Sequence, residues 1–256
     1  MTWRYAAASI VGTSHVASGI GCQDAHRCEV VTDSLGNRVL AVVVSDGAGS
    51  ATNSATGSAL VSNMVIDHAS SWLRGGGTVR SLDNDIVWQW LDNVRQEISK
   101  EAAKSNLQVR DYAATFLMAI VDQTNTAFAQ IGDGAIVTSD QPGFWEVAFW
   151  PQHGNFANET YFVTDELARD NLIFAHTLRP TREIAIFSDG LERVLLNHAE
   201  RRAHVPAFER MILPLRATDT EGKDVSLSEA LARYLASPPV ASRADDDLTL
   251  AIASNI

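Results

Sequence analysis

Four acidic points in this 256-residue sequence share one design. Asp46 follows the apolar run VLAVVVS as SDGAGS, and Asp189 follows a second run as IFSDGLE. Asp133 stands in a tight turn, IGDGAI, and Asp245-Asp246-Asp247 lead a third run as DDDLTLAI. In three of these four motifs a glycine comes directly after the aspartate. A carboxylate at the end of a strand is held rigidly, as a site needing sub-ångström placement requires. The glycine permits unusual backbone angles and lets the neighbouring carbonyl turn inward as a further oxygen ligand. Carboxylates, carbonyls and water suit hard cations such as Mg²⁺ and Mn²⁺, and this set needs neither histidine nor thiolate. Asp-Gly is also a common turn dipeptide. The spacing alone leaves both readings open, a cation site and a set of plain turns.

The elements that would position these groups are legible in outline. Val39–Ser45 is a β-branched run without polar interruption, as expected of a strand buried on both faces. A helix rich in Ala, Ser and Gly follows over about Ala51–Leu73, suited to close packing on a sheet, and Gly75–Gly77 reads as a turn. Ile86, Val87, Trp90, Leu91, Val94 and Ile98 make one apolar stripe on a second helix, about Asp83–Lys104, with Ser81 or Asp83 able to cap it. Strands are expected at Ala113–Val121, Thr126–Ile131, Ala135–Thr138, Trp145–Phe149, Thr160–Val163, Leu172–Leu178, Glu183–Ser188 and Leu248–Ala253. Two further helices are expected at about Ala199–Ile212 and Ser226–Ala236. The order of elements predicts an α+β domain, largely antiparallel, with helices packed outside. No Pro/Gly/Ser-rich linker divides residues 1–256, which read as a single domain.

Composition narrows the class. The chain is 46% hydrophobic and 20% charged, an ordinary globular balance. Its net charge of −11 argues against nucleic acid as a partner and fits a protein that gathers carboxylates around cations, although an acidic, solubilising surface accounts for the same number. Cys22 and Cys28 form no CxxC pair, so a reducing, cytoplasmic setting is expected. No run approaches the roughly 18 apolar residues that span a bilayer.

Taken in order, GTSHVASGIGCQDA, SDGAGS, YAATFLMAI, IGDGAI, IFSDGLE and DDLTLAI resemble the metal-dependent protein phosphatases of type 2C, the PPM family. The opening motif is most similar to a bacterial branch with Cys-Gln-Asp in place of Asn-Glu-Asp. The resemblance implies a central antiparallel β-sandwich flanked on both sides by α-helices, a four-layer αββα fold, with metals in a cleft at one end. It implies two to three divalent cations, Mn²⁺ or Mg²⁺. Asp46 would bridge two of them, the Gly47 carbonyl would bind the second, and Asp189 and Asp246 would complete the first. Asp133 would help hold a third, sharing Asp189. Gln23, Asp24 and Asp247 would sit one layer out, ordering metal-bound waters. The implied activity is hydrolysis of phosphoserine and phosphothreonine in proteins by in-line attack of an activated water, without a phosphoenzyme. The implied partners are a phosphoprotein substrate and a cognate serine/threonine kinase or its target.

Two departures stand out. Family members often carry an arginine four residues before the Glu or Gln of the opening motif, where it grips phosphate; here that position is Gly19. His15 is the nearby candidate for its role, with a structural hydrogen bond as the plainer account. A histidine two residues after the bridging aspartate, a general acid elsewhere, is Ala48 here, so protonation of the leaving group would fall to water or another residue, with His153 and His176 available. The polar segment 151–165 is expected to border the cleft, bringing His153, Asn155 and Asn158 towards substrate, or else to form a surface loop. Cys22 is expected to be a buried small residue rather than a nucleophile, and Trp72, Trp88 and Trp90 to pack in the core. These departures leave a second function in play, a non-catalytic family member that binds phosphoproteins as a regulatory module. An aspartyl-phosphate enzyme is disfavoured, since Ala48 stands where its second aspartate belongs.

Overall fold

The computed structural model describes residues 2–153 and 160–255. The chain opens with strand β1 (Trp3–Ile10), a short helix α1 (Thr13–Ser18) and strands β2 (Ala25–Thr32) and β3 (Arg38–Ser45). Two long helices follow, α2 (Ser54–Arg74) and α3 (Asn84–Ser105). Strands β4 (Phe116–Val121), β5 (Thr126–Ile131), β6 (Ala135–Gln141) and β7 (Phe144–Phe149) come next, then α4 (Ala168–Asn171), β8 (Ile173–Thr177) and β9 (Glu183–Phe187). The remainder holds α5 (Glu192–Leu195), the ribbon β10 (Leu196–Asn197) and β11 (Arg202–Ala203), and α6 (Val205–Ala217). It closes with β12 (Gly222–Lys223), α7 (Val225–Leu235), α8 (Pro238–Ala241) and β13 (Leu248–Asn255).

Two sheets face each other. One runs β12-β1-β13-β9-β6-β7 and the other β2-β3-β4-β5-β8, antiparallel throughout except where β12 joins β1. The alternation within β3 shows how a continuous apolar run serves two layers. Val39, Ala41 and Val43 pack towards α2 and α3, while Leu40, Val42 and Val44 pack between the sheets. In β13, Leu248, Leu250 and Ile252 turn towards α6 and α7, and Ala251 and Ala253 turn inward. The order of layers is helices, sheet, sheet, helices, as expected of an αββα sandwich.

Asp83 caps α3 by accepting from the Ile86 amide at 2.9 Å, and the apolar stripe of that helix is buried. The small residues of α2 let it lie close to its neighbours. A Cβ on Gly57 would overlap the Tyr112 carbonyl, and Ser54, Ser58, Ser62 and Ser70 are all buried. Trp90 is buried, and Trp72 and Trp88 pack partly buried against the same core.

Three expectations need correction. Thr160–Val163 is not a strand: Thr160 bridges only His153, Tyr161 and Phe162 are irregular, and Val163 enters a turn. There Asp165 accepts from the Phe162 amide at 2.8 Å, the Val163 amide donates to Ala114, and Arg95 donates to the Val163 carbonyl, so the Phe162 and Val163 groups are taken up outside a ladder. The strand expected from Ala113 begins at Phe116, because Ala113–Thr115 wraps around the end of β3 instead. The helix expected at Ala199 begins at Val205, with Pro206 in its first turn fixing the start. Strands β1 and β2 have no counterpart in the sequence pattern; Ala6, Ala7 and Ala8 in β1 gave little strand signal.

Replacing Gly57 with valine should lower the thermal midpoint by several degrees, since overpacking at such a contact costs about 1–3 kcal/mol. A thermal melt showing no loss would mean that α2 is free to shift.

Candidate active site

Each acidic motif sits at one end of the sandwich, fastened by a different neighbour. Asp46 lies just past β3. Its amide donates to Thr115 Oγ1 at 2.9 Å, its carbonyl accepts from the Thr115 amide at 2.8 Å, and Ser45 Oγ donates to the Thr115 carbonyl at 2.5 Å. Asp189 opens the turn after β9, preceded by Ser188, whose hydroxyl donates to Asp24 Oδ2 at 2.7 Å and accepts from the Thr249 amide at 3.0 Å. Asp247, just before β13, accepts from the Gly12 amide at 2.7 Å, the Gln23 amide at 2.6 Å and His15 Nδ1 at 2.9 Å. The opening segment is thereby latched to the closing strand.

The glycines after the aspartates serve space rather than dihedral freedom. Gly47, Gly134 and Gly190 have no positive φ, contrary to the unusual backbone angles expected of Gly47. A Cβ on Gly47 would stand 2.6 Å from the Gln23 carbonyl oxygen, one on Gly134 would stand 2.5 Å from that of Phe187, and one on Gly190 would overlap that of Asp247. Each glycine lets a second strand end press against the aspartate's own.

These contacts bring oxygen atoms of Asp46, Asp133 and Asp189 to within 4.8 Å of one another. Asp246 faces the same cleft and forms a neighbouring group with His15 and Asp247. The electrostatic result is severe crowding. Burial, with Asp24 and Asp189 beside it, drives the Asp46 carboxyl well above the aspartate range. Burial pushes Asp24 up to about 7, with Asp247 adding repulsion, and burial with Asp189 nearby pushes Asp133 to about 7. Asp189 is raised by burial and by Asp246. Asp24 Oδ1 and Asp189 Oδ1 are buried without a hydrogen-bond donor. Like charges packed this way stay protonated unless a cation joins them. The all-oxygen donor set, with orphaned acceptors aimed into it, fits a hard divalent cation.

The other sequence candidates divide. His153 lines the cleft with its Nε2 3.5 Å from Glu192 Oε1, which also takes His198 at 3.1 Å. His15 is held by Asp247, its Nε2 at the cleft rim 3.9 Å from where a Cβ of Gly49 would lie. Gln23 is buried, its carbonyl accepting from Ser58 Oγ at 2.5 Å. Asn155 and Asn158 lie outside the described residues. His176 sits in β8 opposite Ala127, outside the cleft. Cys22 is half-buried rather than buried; burial and the Asp24 and Asp247 carboxylates push its thiol up to about 12, so it is no nucleophile. The sequence reading missed Thr115, Ser188, Thr249, Glu192, Arg193 and Arg243. The serine directly before both Asp46 and Asp189 was the available signal for a hydroxyl scaffold.

A carboxylate-lined cation cleft at the end of an αββα sandwich is the class of site these observations define. Residues 11–236 match the family model for protein phosphatase 2C, and the chain belongs to that family. It is 36% identical over 253 residues to serine/threonine-protein phosphatase 3 of Escherichia coli (strain K12), covering 99% of this chain and 98% of the relative. Among solved structures it resembles PppA, a key regulatory component of T6SS in Pseudomonas aeruginosa, with a TM-score of 0.65 at 15% identity, covering 100% of this chain and 99% of that one. It also resembles serine/threonine phosphatase Stp1 from Staphylococcus aureus, with a TM-score of 0.59 at 14% identity over 98% and 94% of the two chains.

The raised carboxyls make a stability prediction. With folded values near 7 for Asp24 and Asp133, the native state binds more protons than the unfolded chain across about pH 5–7, so stability falls as pH rises through that window. Thermal melts in chelator should show this fall. Saturating Mn²⁺ or Mg²⁺ should reverse it, adding about 2.7 kcal/mol at a hundredfold excess over Kd.

Proposed function

We propose that this chain is a metal-dependent serine/threonine phosphoprotein phosphatase working as one domain over residues 1–256. The observation that carries the reading is the Asp46–Asp133–Asp189 cluster, with Asp189 Oδ1 orphaned within it, in a chain of the protein phosphatase 2C family. The 36% identity to a serine/threonine-protein phosphatase over nearly the whole of both chains supports the substrate class.

In this reading Asp46, the Gly47 carbonyl, Asp189 and Asp246 would hold two cations, with Asp46 serving both, the Gly47 carbonyl the second and Asp189 and Asp246 the first, and Asp133 with Asp189 would help hold a third. The ions are Mn²⁺ or Mg²⁺; when bound, they supply an acidified water and neutralise phosphoryl charge. The protein's own contribution is placement. Thr115 fixes Asp46 through both its amide and its carbonyl, and Ser188 with Thr249 orients Asp24 against it. Asp247 ties the Asp246 segment to Gly12 and Gln23, so the carboxylates cannot drift apart to relieve their repulsion. Ala48 and Gly49 leave that side of the cleft free of large side chains. The substrate is a phosphorylated protein, with a serine/threonine kinase as its counterpart. Among the described residues no helix is long and apolar enough to cross a membrane, which is compatible with action in the cytoplasm.

Turnover of an aryl phosphate should require added Mn²⁺ or Mg²⁺ and stop with chelator. Asp46→Ala and Asp189→Ala should each lose more than about 100-fold in kcat, beyond the 10–100-fold typical of removing a partner outside the ligand shell. Full metal-dependent turnover in either variant would rule out this site. A folded, metal-loaded wild type inert on every phosphoserine and phosphothreonine peptide would favour the regulatory reading instead.

A further inference from the structure

The cleft, about 430 Å³, is lined by six carboxylates, those of Asp46, Asp133, Asp189, Glu192, Asp245 and Asp246. Two guanidinium groups, Arg193 and Arg243, line it as well. Elsewhere some arginines pair with carboxylates, as Arg216 does with Glu183 and Glu209 and Arg27 with Asp67, and others, such as Arg80, Arg110 and Arg179, form no ion pair among the described residues. The side chains of Arg193 and Arg243, in a cleft lined by six carboxylates, form no ion pair or hydrogen bond with any described residue. Glu192, the neighbour of Arg193, has the ring nitrogens of His153 and His198 near its Oε1, at 3.5 and 3.1 Å, rather than a guanidinium. Exposed guanidiniums that stay unpaired beside carboxylates are available for an anion.

Their places in the chain are specific. Arg193 lies in α5, four residues after Asp189, which opens the 3₁₀ turn leading into that helix. Arg243 lies between α8 and Asp246, three residues before that aspartate. Each is carried by a segment that also carries a cleft carboxylate. His15, by contrast, has its Nδ1 committed to Asp247.

We propose that Arg193 and Arg243 bind the non-bridging phosphoryl oxygens of the substrate, a role left without an arginine at Gly19. The inference rests on the phosphatase reading of this cleft. A phosphomonoester brings nearly two negative charges to a wall of carboxylates. Divalent cations would neutralise the carboxylates that hold them, and the two guanidiniums supply the remaining positive charge. Their planar forks match phosphoryl oxygens and stay charged at every working pH.

The test uses the full-length, Mn²⁺-loaded protein, with inorganic phosphate as the binding probe and para-nitrophenyl phosphate as the substrate. Arg193→Ala and Arg243→Ala should each raise the Kd for phosphate by calorimetry, and the KM, by about tenfold or more, as expected for loss of a charge-assisted hydrogen bond. Arg→Lys variants should fall between, and the Mn²⁺ concentration for half-saturation should not change. An unchanged phosphate Kd in the double alanine variant would overturn the proposal. So would a weakening matched by an equal rise in the Mn²⁺ requirement, which would assign the arginines to metal retention. If the wild type bound phosphate but hydrolysed no phosphomonoester, the phosphatase reading would fail while the binding arm still decided the arginines.

Discussion

Repulsion among buried carboxylates is the constraint on which the rest of this structure depends. Asp46 lies against both Asp24 and Asp189, with Asp133 and Asp246 close by; Asp24 and Asp189 raise the cost of charging Asp46, Asp189 that of Asp133, and Asp246 that of Asp189. Left to themselves such groups would separate into water. They cannot, because each is fixed by a different element: Asp46 by the segment entering β4, Asp24 by Ser188, and Asp247 by backbone amides of the opening segment. The apolar layers on either side of the two sheets supply the free energy that holds this unfavourable arrangement together.

The division of labour between side chains follows from that constraint. Hydroxyls such as those of Ser45, Thr115, Ser188 and Thr249 satisfy backbone and carboxylate groups without adding charge. Asp247 differs from its neighbours Asp245 and Asp246, both exposed: it is buried and takes two amides and a histidine. Three adjacent aspartates therefore do different work. Only the last is satisfied wholly by protein, which leaves the other two turned to the cleft.

Much of this was legible in the sequence, and the reasons are particular. The aspartates could be read because each follows or precedes a run whose β-branched residues mark a buried strand, as Val39–Ser45 does before Asp46. The stripe from Ile86 to Ile98 announced α3, and Asp83 its start. What could not be read depends on contacts across the fold. Nothing local tells that Val163 gives its amide to Ala114 instead of a strand partner, or that the glycine after Asp189 must clear the carbonyl of Asp247. Arg193 and Arg243 look like ordinary surface arginines until the segments bearing Asp189 and Asp246 are brought to one cleft. His15 keeps both of its readings: its Nδ1 makes the structural hydrogen bond to Asp247, and its Nε2 stands at the rim of the cleft.

Strand β13 lies between β1 and β9, paired from Trp3–Asn255 to Ile10–Leu248 on one side and with β9 on the other. On a ribosome, everything through α8 could emerge while this sheet remained in two unconnected pieces. The hydrogen-bond acceptors for Gly12 and Gln23 would also be missing until Asp247 left the tunnel. A chain cut short just before these residues would retain the sequences of both long helices and of the second sheet, yet lack the cleft. The two pieces of this sheet, β12-β1 and β9-β6-β7, are thus joined only once β13 is in place, after every other strand of the described residues.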